Sequence, residues 1–189
     1  MRNRTILSLC DTTGIWSEPY RAAGYRVIKV DIKDGGDVRT LPYQGKVHGI
    51  IMQPPCTHFA GSGARWWKAK GPSALIEGLQ VVDACLRAVA ICEPEWWVLE
   101  NPVGRLKNHI GPAVMTFQPH EYAGYADDPE AEAYTKKTCL WGSFNAPTKN
   151  DVGNLLGSVM HKLPPSADRA ALRSVTPAGF ARAFFEANP

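Results

Sequence analysis

Short apolar runs alternate along the chain with polar turns and with longer amphipathic segments. An apolar run bounded by turn residues is typical of a buried β-strand, whereas apolar positions three and four residues apart are typical of a helix. The runs predict six strands, at Thr5–Leu9, Arg26–Val30, Val47–Met52, Trp96–Leu99, Val114–Phe117 and Cys139–Phe144. The amphipathic segments predict helices from the N-cap Ser17 to Ala23, over Ser73–Cys92, and over Pro177–Ala187 with Thr176 as the N-cap.

This alternation of strands and helices predicts an α/β fold, with a mostly parallel sheet covered by helices on both faces. The first unit runs from a strand through a glycine-containing turn and a helix to a second strand that ends at Asp31, as in nucleotide-binding α/β proteins. In such sheets ligands bind at the carboxyl ends of the strands. The other polar or proline-rich strand ends are Asp11–Gly14, Pro54–Cys56 and Glu100–Pro102. We therefore expect the functional site at this edge of the sheet.

The length of 189 residues and the lack of a low-complexity linker predict one domain over residues 1–189. The composition, 44% hydrophobic and 21% charged, is that of an ordinary globular protein and excludes a disordered or collagen-like chain. The longest apolar stretch, Val81–Cys92, contains Asp83 and Arg87, so no membrane span is expected. The N-terminal apolar run is too short for a signal peptide. The chain has five cysteines, Cys10, Cys56, Cys85, Cys92 and Cys139. An odd number with no closely spaced pair favours a reducing cytoplasm over disulfides or structural zinc.

The charges are unevenly distributed, although the formal net charge is only +3. The segment from Gly111 to Thr135 has no lysine or arginine, and its acidic residues are Glu121, Asp127, Asp128, Glu130 and Glu132. A basic body with one acidic segment is compatible with a partner that bears phosphates. A solvated acidic loop on an ordinary surface accounts for the same pattern.

Two of the strand ends carry reactive side chains. In Pro54-Pro55-Cys56 the prolines fix the backbone and leave carbonyl groups free, so that the thiol is expected in a cleft; the alternative is a small buried cysteine. Glu100 ends a strand rich in tryptophan, and such apolar surroundings raise the pKa of a carboxyl group; the alternative is a capping or salt-bridged carboxylate. A cysteine and a protonated carboxyl on neighbouring strand ends are suited to nucleophilic attack with acid assistance.

In order along the chain, Asp11-Thr-Thr-Gly14, Asp31, Asp37-Val38, Pro54-Pro55-Cys56 and Glu100-Asn101-Pro102 resemble the motifs of the cytosine-C5 DNA methyltransferases. The segments 136–141 and 175–180 resemble the later blocks of a small, phage-type branch of that family. The resemblance runs from about residue 6 to residue 185. It implies a Rossmann-like methyltransferase fold, S-adenosylmethionine as the cofactor and cytosine-containing DNA as the partner.

The resemblance also assigns roles to individual residues. It implies cofactor binding, with Asp31 on the ribose and Asp37 on the adenine, by Asp11, Thr12, Thr13, Gly14, Trp16, Asp31, Ile32, Asp37, Val38 and Pro54. It implies that Cys56 attacks C6 of a flipped-out cytosine while Glu100 protonates N3. With Asn101 and Lys137 these residues make up the implied catalytic set. The residues implied or expected to contact the substrate are Pro54, Pro55, Ser62, Arg65, Trp66 and Lys136.

A loop predicted at Thr57–Pro72 follows the cysteine and carries several of these contacts. Lys68 and Lys70 could meet phosphates there. Trp66 or Trp67 could stack on a base, or both could anchor the loop to the core. His58 is interpreted as a positioned loop residue rather than a base. No metal-ligand spacing is present, so no metal is expected.

The sequence departs from the family pattern in four places. Only five residues separate Asp31 from Asp37, so the usual second helix cannot fit between them. Thr12 and Ile15 stand where the first motif usually has glycines, and Lys136 and Lys137 stand in for an arginine pair. The interval from Leu140 to Thr176 is too short for a target-recognition domain. We therefore expect short-context specificity from loops, or recognition by a partner chain.

Other functions remain open at this point. The same site residues would serve cytosine-C5 methylation of a free nucleotide or of RNA. A non-catalytic homologue that binds only the donor or DNA, and a redox role of Cys56, are further alternatives. Exocyclic amino methylation is disfavoured because Cys56 occupies the position where that chemistry uses an aromatic residue after the prolines.

Overall fold

The computed structural model describes residues 4–160, 162 and 169–189. The strands are β1 (Thr5–Leu9), β2 (Arg26–Val30), β3 (Gly49–Met52), β4 (Trp96–Pro102), β5 (Met115–Phe117), β6 (Tyr134–Thr135), β7 (Thr138–Ser143) and β8 (Gly157–Ser158). The α-helices are α1 (Glu18–Ala22), α2 (Trp67–Cys92), α3 (Lys107–Ile110), α4 (Arg169–Ser174) and α5 (Ala178–Ala187). Short 3-10 helices lie at Ile32–Asp34, Val38–Thr40, Cys56–His58, Gly61–Trp66, Pro119–Glu121 and Ala123–Tyr125. No helix within the described ranges is long and apolar enough to cross a membrane.

Six strands form one sheet in the order β2-β1-β3-β4-β7-β5. The four strands β2, β1, β3 and β4 are parallel, and β7 runs antiparallel to both β4 and β5. β6 and β8 form a separate parallel pair. The predicted α/β class with a mostly parallel sheet is therefore confirmed, and the chain folds as one domain.

Helices cover both faces of the sheet, which is why the central strands carry apolar side chains on both faces rather than at alternate positions only. Along β1, Ile6 points to one face and packs in a cluster with Trp16 beside α1 and with Phe180 and Phe184 of α5. Leu7 belongs to the opposite cluster, which contains the inner side of α2. All five side chains are completely buried.

Helix α2 begins earlier than predicted, because the segment after Cys56 is helical rather than an open loop. A break at Gly71, with φ of 71° and ψ of −179°, separates a first turn from the regular part that starts at Pro72. This backbone conformation is accessible mainly to glycine. The predicted loop at Thr57–Pro72 is thus largely a pair of short helical segments that end at this break.

Two predicted helix caps are wrong in their details. The Ser17 hydroxyl does not cap α1, because it donates to the Asp11 carboxylate at 3.1 Å and to the Gly14 carbonyl at 3.2 Å. The N-cap of α5 is Pro177 rather than Thr176. The Thr176 hydroxyl instead accepts a hydrogen bond from the side chain of Gln53. In both places the hydroxyl forms a hydrogen bond with a side chain at the carboxyl edge of the sheet, Asp11 or Gln53, instead of capping the helix.

The acidic segment is an internal part of the fold rather than a free flap. Both carboxylate oxygens of Glu132 accept hydrogen bonds from the first backbone N–H groups of α5, from Ala178 at 2.6 Å and Gly179 at 2.9 Å. Asp127 pairs with Arg182 on the same helix. Two of the five acidic side chains of this segment therefore hold α5 in place.

Candidate active site

Four chemically distinctive segments converge because the parallel strands β1 to β4 end at the same edge of the sheet. Asp11 is the second residue after the end of β1, Asp31 is the first residue after β2, and Pro54 is the second residue after β3. In the register of β3 and β4, Met52 lies opposite Leu99, so Glu100 lies just past the end of β3. The segments that the sequence picked out individually therefore meet in space.

The turn after β1 is held by the buried carboxylate of Asp11. One oxygen accepts from the backbone N–H of Gly14 at 2.7 Å, and the other accepts from the Ser8 hydroxyl at 2.7 Å and from Ser17. Gly14 has φ of 74°, and Cys10 at the start of the turn also lies in the left-handed region with φ of 57°. A non-glycine residue in that region is uncommon and is concentrated at functional sites. Asp11 thus shapes the turn with internal hydrogen bonds.

A cleft of about 280 Å³ opens beside the end of β2, here named the β2 cleft. Its lining includes Lys29, Asp31, Asp34, Gly36, Asp37 and Thr40. Asp31 accepts hydrogen bonds from the Thr12 hydroxyl at 3.1 Å and from the backbone N–H of Lys33 at 2.9 Å. Hydrogen bonds from Arg39 lower the pKa of Asp37, which keeps that carboxyl ionised. The cleft therefore offers carboxylate acceptors to hydroxyl and amino groups.

The residues predicted to bind a cofactor are divided between this cleft and the core. Trp16 is completely buried and lies edge-on to Phe180 and Phe184, with ring centroids 5.3 and 5.4 Å away. Val38 is also a core residue. The structure places both side chains in the core, in the clusters on opposite faces of the sheet. Ile32 is 71% exposed and is free to contact a ligand.

The Pro54-Pro55-Cys56 segment is clamped to the neighbouring strand. The side-chain amide of Asn101, which is completely buried on β4, donates to the carbonyl of Pro54 at 2.9 Å. Cys56 begins a 3-10 helix, and its own carbonyl accepts from the N–H groups of Phe59 and Ala60, each at 2.9 Å. The thiol is therefore held at a fixed point at the edge of the sheet.

Glu100 and Lys136 lie near Cys56 and set its electrostatic environment. Burial raises the pKa of Glu100, and the charge of Lys136 partly opposes this rise. Burial also raises the pKa of the Cys56 thiol, the carboxylate of Glu100 adds to the rise, and Lys136 and Arg173 oppose it. Burial of Lys136 itself lowers the pKa of its ammonium group. The Lys136 Nζ donates a hydrogen bond to the Val175 carbonyl at 2.9 Å. The site thus combines a thiol, a carboxyl that favours protonation, and nearby cations.

The two adjacent lysines have different neighbours. Lys136 acts electrostatically on Cys56 and Glu100. Lys137 is exposed and lies near the partly buried thiol of Cys139. Burial raises the pKa of that thiol, and the charge of Lys137 partly opposes the rise. Of the pair, Lys136 is therefore the one that shares the environment of Cys56.

The tryptophans that follow Cys56 are also divided between the surface and the core. Trp66 is 55% exposed, and the guanidinium of Arg65 lies over its ring at 5.2 Å. Trp67 lies below the guanidinium of Arg105 at 4.6 Å and is half-buried. Arg105 in turn donates to the carbonyl of His58 at 2.7 Å. Trp67 anchors the segment, and Trp66 is left available at the mouth of the site.

The remaining candidates lie around this mouth. Pro55 and Thr57 are exposed, and Lys70 donates to the carbonyl of Thr57 at 3.2 Å. The Ser62 hydroxyl accepts from Arg173 at 3.2 Å. Lys68 is exposed on the first turn of α2.

Sequence reasoning missed Arg173 and Gln53. Arg173 follows the interval in which no element was predicted, and only its position two residues before the 175–180 block could have marked it. Gln53 directly follows β3 and precedes the proline pair. Its Nε2 donates to Thr176 at 2.7 Å, whereas its buried Oε1 has no hydrogen-bond partner among the described residues.

Among the residues that the structure describes, no cluster of three or more His, Cys, Asp or Glu side chains could hold a metal ion. Comparison with protein-family models and with curated proteins found no match. The fold is similar to a solved E. coli protein, encoded within a prophage and described as a proposed DNA modification methyltransferase, at 16% identity and a TM-score of 0.50. The match covers 88% of this chain and 50% of that one, so this chain spans half the length of the solved protein. At this identity the match shows a shared fold.

Proposed function

We propose that this protein is a DNA (cytosine-5-)methyltransferase that uses S-adenosylmethionine and a covalent adduct at Cys56. The observation that carries this proposal is the meeting of Cys56, Glu100 and Lys136 at the ends of β3 and β4, at the same edge of the sheet as the β2 cleft. A thiol next to a carboxyl that favours protonation suits nucleophilic attack on a ring that must accept a proton. The fold shared with the prophage protein supports the same class of reaction.

The residues of the β2 cleft fit the nucleoside part of S-adenosylmethionine. Its volume of about 280 Å³ is at the lower end for small-molecule sites, and Asp31 and Asp37 present carboxylates on one wall. An acidic residue directly after the second strand is the usual acceptor for ribose hydroxyls in this type of sheet. Thr12, Thr13 and Gly14 would border the methionine part, and the unpartnered Oε1 of Gln53 is a further acceptor at the same edge. When bound, S-adenosylmethionine supplies an electrophilic methyl group.

The chain's own residues account for the activation of the base. Cys56 loses its proton and attacks C6, which forms a carbon–sulfur bond and moves an electron pair toward C5. Glu100 donates a proton to N3 and so neutralises the charge that develops on the ring. The Asn101 amide keeps the Pro54 carbonyl in place, close to where the exocyclic amino group of the base would lie. Once C5 carries the methyl group that S-adenosylmethionine would supply, loss of the C5 proton to solvent, return of the N3 proton to Glu100 and breaking of the carbon–sulfur bond release Cys56.

The test is transfer of a labelled methyl group to duplex DNA, with identification of 5-methylcytosine. Cys56→Ala should abolish transfer, whereas Cys139→Ala removes another partly exposed thiol and should preserve it. A DNA strand with 5-fluorocytosine should become covalently attached to Cys56 in the wild-type protein, because fluorine cannot leave as a proton does. Transfer that survives in Cys56→Ala would refute the covalent mechanism.

We further propose that one domain performs catalysis and that short-context recognition comes from the Trp66 surface or from a partner chain. Exposed Trp66 with Arg65, and Lys68 nearby, supply a stacking platform and phosphate contacts. Mapping methylated cytosines in host DNA after expression reports the base and its sequence context together. A parallel assay with free cytidine nucleotides and RNA separates the DNA enzyme from the alternative substrates.

A further inference from the structure

A short segment near the C-terminus, residues 173–176, lies across the candidate site and contacts three of its walls. We name this segment the strap. Arg173 Nη2 donates to the Ser62 hydroxyl at 3.2 Å, in the helical segment that follows Cys56. The carbonyl of Val175 accepts from Lys136, and the Thr176 hydroxyl accepts from Gln53 at the end of β3. These contacts join positions 39 to 123 residues apart in the sequence, so the strap belongs to the tertiary architecture of the site.

Arg173 brings a second positive charge to the Cys56 thiol. The charged groups that act on this thiol are Glu100 from β4, Lys136 from the connection between β6 and β7, and Arg173 from α4. Glu100 disfavours the thiolate, and the two cations favour it. The balance of charge at the thiol therefore depends on a residue contributed by the strap.

The two cations differ in a way that matters for the nucleophile. Burial lowers the pKa of Lys136, whereas a guanidinium remains protonated throughout the accessible pH range. The neighbouring Glu100 also pairs electrostatically with Lys136. Lys136 is therefore shared between Glu100 and Cys56, whereas the guanidinium of Arg173 donates to the Ser62 hydroxyl in the segment that follows Cys56.

We propose that Arg173 is a positioning residue for Cys56, which fixes the segment after the cysteine through Ser62 and keeps a permanent positive charge beside the thiol. Its importance for turnover rests on the proposed function of Cys56 as the nucleophile. Its effect on the thiol is independent of DNA and of the methyl donor. The inference can therefore fail or succeed separately from the methyltransferase assignment.

The experiment measures the rate at which iodoacetamide alkylates Cys56 in the full chain between pH 6 and pH 10, with peptide mass spectrometry to separate Cys56 from the other cysteines. Arg173→Gln and Arg173→Met both remove the charge, and Arg173→Lys keeps it. Arg21→Gln makes the same change in net charge at a side chain that pairs with Glu18 on α1. Thermal unfolding of each variant checks that it is folded, and two charge-removing variants are used so that one misfolded protein does not end the test.

In Arg173→Gln and Arg173→Met the midpoint of the alkylation profile should move upward by roughly half to one pH unit, as expected for loss of an opposite charge near a partly exposed group. Arg173→Lys should retain most of the wild-type midpoint, and Arg21→Gln should retain all of it. An unchanged midpoint in a folded charge-removing variant would overturn the inference. Methyl transfer is measured on the same samples. If the wild-type protein transfers no methyl group, the proposed function is contradicted. If the alkylation midpoint still moves upward in Arg173→Gln and Arg173→Met, the role of Arg173 at the thiol is supported nevertheless.

Discussion

The buried amide of Asn101 holds the carbonyl of Pro54 at 2.9 Å, and so ties the end of β4 to the segment that carries Cys56. Proline segments lack the N–H groups that would bind them to a sheet, and a side chain from the neighbouring strand replaces that lost contact. The Asn101 position on β4 is in turn fixed by pairing with Cys139 on β7. One hydrogen bond thus couples the antiparallel part of the sheet to the candidate nucleophile.

Replacement of Asn101 by alanine should lower both stability and methyl transfer. The variant leaves the Pro54 carbonyl without its partner in a buried setting, which costs about 1–3 kcal/mol of the free energy of unfolding. Denaturant titration measures this loss, and the methyl-transfer assay measures the effect on Cys56. Asn145→Ala is the matched control, because it removes an exposed side-chain bond to the carbonyl of Ala187. A cost in Asn101→Ala no larger than in this control would contradict a clamping role.

Glu100 should make the protein less stable as pH rises. Its folded pKa is raised by burial, so the folded state holds the proton more tightly than the unfolded state, and stability is lost as pH increases from the ordinary glutamate range through the raised value. Glu100→Gln removes this titration. The free energy of unfolding of the wild type, relative to Glu100→Gln, should therefore fall as the pH rises above the ordinary glutamate pKa of about 4.3.

Glu93 provides a control of opposite sign. Its pKa is lowered by Lys46, so the stability of the wild type relative to Glu93→Gln should rise with pH over the acidic range. A wild-type stability that rises with pH relative to Glu100→Gln would show that ion pairing with Lys136, rather than burial, dominates at Glu100. Methyl transfer by Glu100→Gln should be lost at every pH, since the amide N–H can donate a hydrogen bond to N3 but is not acidic enough to transfer a proton to it.

The adjacent tryptophans should respond differently to alanine substitution. Trp66→Ala should weaken binding of DNA by about tenfold with little change in stability, because an exposed ring that stacks on one base contributes about 1–3 kcal/mol. Trp67→Ala should instead lower the free energy of unfolding by about 2 kcal/mol, since it removes the half-buried ring below Arg105. Fluorescence anisotropy with labelled duplex DNA and denaturant titration distinguish the two effects. Equal DNA affinity in Trp66→Ala and the wild type would contradict the proposed contact surface.

Glu132→Ala should detach the N-terminus of α5. The carboxylate accepts two backbone hydrogen bonds there, and loss of such a cap costs about 1–2 kcal/mol. Glu130→Ala makes the same change in charge at an exposed neighbour and should leave the free energy of unfolding nearly unchanged. If the two variants unfold at the same denaturant concentration, Glu132 is not a cap.

The sequence by itself was sufficient for the fold class, for the six strands of the main sheet and for the presence of α1, α2 and α5, but it did not predict β6, β8, α3 or α4. β1 and β2 lie at their predicted bounds, because their apolar runs are closed by Cys10 and Asp31 and because both faces of the sheet are covered. The order of strands and helices predicted a parallel sheet, and a parallel sheet places Asp31, Cys56 and Glu100 at one edge. Local patterns are enough here because burial on both faces gives these strands a continuous apolar run.

Only the tertiary structure decided which of the candidate side chains share one environment. It placed Trp16 in the core, separated Lys136 from Lys137, and brought Arg173 to Cys56 from a distant part of the chain. It also gave the Ser17 hydroxyl to Asp11 rather than to a helix end. These outcomes depend on contacts between residues far apart in sequence and on competition among partners for the same polar group. A pattern along the chain records the type of each residue, but the neighbours that determine its charge and hydrogen bonds are set by packing.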